Sequence, residues 1–304
     1  MPHELSLEKI QFDFLNRILK NRNPVTGLIP QDNHKFWVRD NLYIIHAAFA
    51  LSQAFKKRHQ IQRFQKDLKS FYNLKNICSQ AMRSIFTAFL LQRDKLELRK
   101  QLGRSKNKTG DFFHSKEYLE NRSSLHVKFD FQDLKPVEDD NYSHLQLDVV
   151  ALFLLTLAQL TKSGFEIIQS QDEVAMIQNL IFYIERAYRT PDYGIWERGS
   201  KTNQNEKEIN ASSVGMCLAA LEACADLKLV NSMFSLHVIP DDISRCRLTL
   251  NAMLPKESYS KEVDSSILFT LGYPGFVKLN NKTRNLTIKK ISKYLRGHYG
   301  FKRF

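Results

Sequence analysis

The chain has 304 residues, 43% of them apolar, and a formal charge of +13. It carries enough apolar surface for a large core, as one big domain or two ordinary ones, so disorder is not the expectation. The excess charge favours attraction to anions without naming a partner, and the basic clusters at 93–108 and 278–303 lack the aromatic interleaving of a single-strand nucleic-acid face.

Residues 5–20 place Ile10, Phe12, Phe14, Leu15, Ile18 and Leu19 at mostly helical spacing, and Asn23-Pro-Val-Thr-Gly27 stops that helix with turn chemistry. The run 37–57, through Ile44, Ile45, Ala48, Leu51 and Phe55, predicts a long helix whose first turn holds Arg39 and Asp40. A further helix is expected at 77–96. Between 93 and 136 periodicity fails while charge, Gly103 and Gly110 accumulate, so this segment is expected as a partly disordered surface insertion.

Residues 142–162 are apolar almost all round, as in the inner layer of a helical toroid. The longest apolar run there, 149–160, is shorter than the roughly 20 residues a membrane span requires. Asp172 can cap a helix through Val174, Ile177, Leu180, Ile181 and Ile184 that ends near Pro191. Asn210 or Ser212 can cap the next, and shorter helices are expected at 241–254, 263–271 and 287–295. Alternating strand patterns are nearly absent, so the fold class is all-α, built of helical pairs in a single domain over 1–304.

The distinctive residues lie at helix starts and in the loops after helices. In Trp37-Val-Arg-Asp-Asn41 a carboxylate, a guanidinium fork and an aromatic ring can together grip a sugar; alternatively Asp40 caps the helix and Arg39 pairs locally. In Asp139-Asp-Asn-Tyr-Ser-His-Leu-Gln-Leu-Asp148 the groups of Asp140, His144, Gln146 and Asp148 stand at the start of a helix fit for burial. They require either a ligand or an internal network. In Pro191-Asp-Tyr-Gly-Ile-Trp-Glu-Arg-Gly199 a carboxyl group beside an indole can be desolvated, which raises its pKa and lets Glu197 act as an acid near neutral pH. The alternative pairs Glu197 with Arg198 or Lys201 at the surface.

The histidines show no metal-ligand spacing, and no phosphate loop or nucleophile elbow appears, so no metal or cofactor is expected. Cys78, Cys217, Cys224 and Cys246 form no C-x-x-C pair, and the first residues carry no leader pattern. Reduced core thiols in a cytoplasmic protein are the expectation.

Seven stretches carry a resemblance: Asn23-Pro-Val-Thr-Gly-Leu-Ile-Pro30, Trp37-Val-Arg-Asp-Asn-Leu-Tyr43, His144-Leu-Gln-Leu-Asp148, the block 172–203, Asn210-Ala-Ser-Ser-Val-Gly-Met216, Lys261-Glu-Val-Asp-Ser-Ser-Ile-Leu268 and Tyr299-Gly-Phe-Lys-Arg-Phe304. With them the chain resembles the N-terminal part of the regulatory subunits, α and β, of phosphorylase b kinase, and is the more α-like. The resemblance covers nearly everything except about 93–134.

These subunits carry a domain similar to glucoamylases of glycoside hydrolase family 15, which implies an (α/α)6 toroid. By position it also implies a relict general acid at Glu197 and a sugar-holding pair at Arg39 and Asp40; with these, Trp37, His144, Gln146, Asp148, Trp196 and Arg198 from the motifs above are the expected substrate-binding residues. An inverting glycosidase needs a second carboxylate roughly 6.5–9.5 Å away, which in glucoamylases lies late in the barrel. Members continue for hundreds of residues where this sequence stops at Phe304, so the toroid is expected to be incomplete at its C-terminus and no matching base can be assigned.

The function so implied is a non-catalytic regulatory subunit in the control of glycogen breakdown. Its implied partners are the kinase catalytic subunit, a companion regulatory subunit and calmodulin, in a cytoplasmic complex associated with glycogen or membrane. The competing expectation is a glucan-binding or weakly active hydrolase.

Overall fold

The computed structural model describes residues 6–31, 34–102, 122–137, 145–196 and 206–303. Helix α1 (Leu7–Asp13) starts where the Ser6 hydroxyl accepts from Lys9 N at 3.2 Å, then runs on through a π-helical turn, Phe14–Ile18, and a 3-10 turn, Leu19–Asn21. The stop that follows is made by Asn23, whose Oδ1 accepts from Val25 N (2.7 Å) and Thr26 N (3.0 Å). Gly27 completes it at φ +74°, where a Cβ would stand 3.0 Å from Ala81 N.

Helices α2 (Val38–Gln62) and α3 (Gln65–Leu90) form the first long hairpin, turned by Arg63 in the left-handed region at φ 58°. Helix α3 starts twelve residues before the expected position 77. Its first half is polar because that half lies in an outer layer, with Phe71 and Leu74 inward and the lysines in water. Arg58 pins this corner, bonding Asp67 (2.7 and 2.6 Å) and Glu8 (2.7 Å).

The segment 93–136 is packed at both described ends. Helix α4 (Arg93–Leu102) buries Leu96 and Arg99, and Ser123 to Phe129 return through buried Leu125 and Val127. Strand β2 (Lys128–Asp130) then pairs antiparallel with β1 (Lys35–Trp37), with Trp37 opposite Lys128. The chain packs here because backbone groups find partners, as where Gln92 bonds both the carbonyl and the N–H of His126. Residues 103–121 lie outside the described residues.

Helix α5 (Leu147–Lys162) is buried at every position from 147 to 158, and α7 (Ala211–Cys224) at every position from 211 to 221. Helices covered on all sides occupy an inner layer, and their apolar composition requires it. Around them, α6 (Gln171–Ala187), α8 (Pro240–Met253) and α10 (Asn281–Leu295) each bury one face only. Helix α7 packs against α5, α6, α8 and the short α9 (Leu268–Leu271), and α5 packs against α2 and α6. A two-residue hairpin of β3 (Lys228–Leu229) and β4 (Phe234–Ser235) sits between α7 and α8. The four cysteines are buried and unbridged.

Two caps differ from expectation. Ser170, not Asp172, caps α6, its hydroxyl accepting from Glu173 N at 3.3 Å. Asn210 precedes α7 but turns its amide elsewhere, and Ser212 N donates instead to the buried Glu257 carboxylate at 3.0 Å.

The inner layer is tight where α7 meets α9. A Cβ on Gly215 would stand 2.1 Å from Thr270 Cγ2 and 2.7 Å from its Oγ1. Gly215→Ala should therefore lower unfolding stability in urea by about 1–3 kcal/mol through overpacking, and Thr270→Ser should recover part of that loss. An alanine variant as stable as the parent would show that α9 can retreat freely.

Candidate functional site

The polar helix starts of the inner layer face one another. Strand β1 delivers Trp37, and α2 begins at once with Arg39 and Asp40 in its first turn. Asn41 holds this junction: its Oδ1 accepts from Ile29 N at 2.8 Å, while its Nδ2 donates to the carbonyls of Ile29 and Trp37 at 3.0 and 3.1 Å. The Lys128 ammonium lies 4.5 Å from the centroid of the Trp37 ring. Asp40 is exposed.

Arg39 is buried, and its fork is met from the start of α5. Nε and Nη2 donate to the two oxygens of Asp148 at 3.0 Å each, and Nη2 donates to Gln146 Oε1 at 2.6 Å. Both partners are under 3% exposed. The bidentate geometry suits a guanidinium and a carboxylate taken out of water together.

Behind this cluster stands Asp192, fully buried, whose Oδ2 accepts from Leu147 N (3.0 Å) and Ser213 Oγ (2.8 Å) while Oδ1 accepts from Asn210 Nδ2 (2.7 Å). Burial pushes its carboxyl up to about 6, the Asn210 and other hydrogen bonds oppose that, and the Asp148 charge adds to it. Asp192 thus joins the starts of α5 and α7 to the loop that leads to Trp196.

An aromatic chain spans the two sides. Tyr43, one turn beyond Arg39 on α2, packs 5.8 Å from Phe269, which meets Trp196 edge-on at 5.7 Å. Burial drives the Tyr43 hydroxyl far above its usual range, and the charge of Asp148 reinforces the shift. The Trp196 Nε1–H donates to Asp264 Oδ1 at 2.9 Å. The Arg303 guanidinium lies 5.6 Å from the Trp196 ring and donates to the Trp196 carbonyl.

A guanidinium, carboxylates and aromatic rings thus gather where the inner helices begin. The sequence model for glycosyl hydrolases family 15 matches residues 14–295. The chain belongs to glycosyl hydrolase family 15. Among the relatives of this family 15 chain, the probable phosphorylase b kinase regulatory subunit alpha of Drosophila melanogaster is 42% identical over 97% of the chain, which covers 23% of that protein. The skeletal muscle isoform of the same subunit in Oryctolagus cuniculus is 42% identical over 94% of the chain and 22% of its own length.

The family 15 chain thus spans less than a quarter of the length of these relatives. Two solved glycosidase variants superpose with TM-scores of 0.69 and 0.70 at 16% identity, covering all of this chain and 74% of theirs. The fold is the glucoamylase-like (α/α)6 type. No described helix is long and apolar enough to cross a membrane.

Of the site residues expected from sequence, Arg39, Gln146 and Asp148 come together; the Trp37 ring lies against Lys128, Asp40 is exposed, and Trp196 is linked to Tyr43 through Phe269. His144, Glu197 and Arg198 lie outside the described residues. Sequence reasoning missed Asp192, the Lys261–Asp264 pair and the role of Arg303. All three fall in stretches that carry the resemblance, Arg303 also within the basic cluster 278–303, and Asp192 reads as an ordinary turn residue after a proline. Among the described residues no group of His, Cys, Asp and Glu is arranged to hold a metal ion.

Proposed function

We propose that this chain, as a single domain over 1–304, is the glucoamylase-like part of a phosphorylase kinase regulatory subunit of α type. In this reading it acts in the control of glycogen breakdown as a scaffold that keeps a relict carbohydrate cleft. The observation that carries this is the 42% identity, over nearly the whole chain, to proteins named as regulatory subunits of phosphorylase b kinase. Its partners are then the kinase catalytic subunit, a companion regulatory subunit and calmodulin, within a cytoplasmic complex associated with glycogen or membrane.

The groups that would hold a glucan in this reading are Asp40, exposed in the first turn of α2, the Trp37 and Trp196 rings and the Arg303 guanidinium, with Arg39 behind them tied to Asp148 and Gln146. Glu197 follows Trp196 directly, where the family places its proton donor, and Arg198 and His144 belong to the same sugar-facing set, while Gln146 and Asp148 support it through Arg39. Hydrolysis with inversion further requires a carboxylate free to activate water. Asp264, the described carboxylate that bonds the Trp196 indole, already accepts from Trp196, Ser266 and Lys261.

Titration with acarbose and maltose, followed by calorimetry and by glucose release, tests the reading. The expected result is saturable acarbose binding with no glucose release above that of Glu197→Gln. Absence of saturable binding would sink the sugar cleft. Glucose release that disappears in Glu197→Gln would establish the second reading, a weakly active glucoamylase-like hydrolase, which the Trp196-Glu197 pair favours. Failure of the chain to associate with phosphorylase kinase catalytic subunit would count against the regulatory role.

A further inference from the structure

Asp264 and Lys261 form an ion pair, 3.2 Å from Nζ to Oδ2, in which the side chains are only 1% and 5% exposed. A buried pair of this kind contributes little net stability over a well-packed apolar pair, so its geometry calls for an explanation. That geometry is directed at Trp196. Asp264 Oδ1 accepts both from the indole Nε1–H at 2.9 Å and from Ser266 N at 2.8 Å, so the carboxylate is fixed at the start of the 3-10 turn Ser265–Ile267 while it holds the ring. Ser265, the next residue, donates from N (3.0 Å) and Oγ (3.1 Å) to the Arg303 carbonyl, and the Arg303 guanidinium lies over the same indole. Phe269, less than two turns on, meets the indole edge-on.

We propose that Asp264, with Lys261 as its counter-charge, is the positioning residue of the Trp196 wall: one short turn orients the indole and places Arg303 against it. The inference rests on the reading of the cleft as a sugar site and adds to it the device that orders one wall. A tryptophan whose N–H is fixed presents its ring in one orientation, and stacking on a pyranose depends on that orientation. Lys261 Nζ holds the second carboxylate oxygen at 3.2 Å in a place where water does not reach it, which leaves Oδ1 facing the indole.

The test uses the sequence's two tryptophans. In a Trp37→Phe background the remaining indole is Trp196, and its emission and acrylamide quenching report its order; acarbose titration is run with Trp37 intact. Asp264→Ala is expected to shift the emission to the red, raise quenching, and weaken acarbose about tenfold, the effect of losing one well-made hydrogen bond at a binding wall. The double variant Asp264→Asn, Lys261→Met keeps an acceptor for Nε1 without either charge and should return emission, quenching and affinity to near the parent values.

A merely structural ion pair would give the opposite pattern, with the alanine variant less stable but its indole emission unchanged. That result overturns the proposal, as does a double variant no better than Asp264→Ala. Should Asp264→Ala lose its helical circular dichroism, the double variant compared with Lys261→Met and Asp264→Leu carries the same test. A parent chain that does not bind acarbose overturns the sugar cleft itself, while the indole measurements still decide whether Asp264 orders Trp196.

Discussion

Arg39→Ala is expected to lower unfolding stability by about 3–5 kcal/mol and to abolish acarbose binding, because it leaves a buried carboxylate without its countercharge. Asp148 is 2% exposed and Gln146 fully buried, and the Arg39 guanidinium donates to both of them. Removing the fork costs the desolvation of these groups with nothing returned, whereas an exposed pair such as Arg245–Asp241 contributes little. Arg39→Lys should fall between, since an ammonium cannot satisfy both Asp148 oxygens and Gln146 in one plane. Urea unfolding at pH 7 and a double-mutant cycle with Asp148→Ala measure the coupling. A loss below about 1 kcal/mol would mean that water replaces the guanidinium, and would remove the cluster from any account of the cleft.

That cluster also marks the limit of what the sequence made legible. A run such as Val149 to Leu160 can only be covered on all sides, and its place in the inner layer follows from composition. The polar groups at its start, Gln146 and Asp148, had to have partners once buried. The partner was not readable, because Arg39 stands 109 residues away from Asp148 and no local spacing connects them.

Similar reasons explain the other misses. The first half of α3 hides because an outer helix needs only a thin apolar stripe, and because Arg63 rather than a glycine takes the left-handed turn before it. Asp192 hides because a lone aspartate after proline has the sequence signature of a solvent-facing turn, and only tertiary packing places it under two helix starts.

The position of Asp192 has a measurable consequence. Its folded carboxyl titrates at about 6, against an ordinary value of 3.8, with burial as the largest cause. Between those two values the folded chain holds a proton that the unfolded chain has already released. The contribution is therefore fully present below about pH 4, is lost as pH rises toward 6, and stays constant above. A shift of this size corresponds to about 3 kcal/mol.

Other carboxylates act in the opposite direction: Arg58 holds those of Glu8 and Asp67 down, so their contribution is lost on acidification. The raw stability curve mixes both, and the comparison that isolates Asp192 is the difference between the parent and Asp192→Asn. Asparagine is shaped like the protonated acid and keeps an oxygen for Leu147 N and Ser213 Oγ. The difference should move toward the asparagine variant by up to about 3 kcal/mol between pH 4 and 6, then level off. A difference that does not change with pH would show that Asp192 titrates like a surface carboxylate. The starts of α5 and α7 would then be joined through a fully charged group, and their hydrogen bonds to it would be stronger than this account allows.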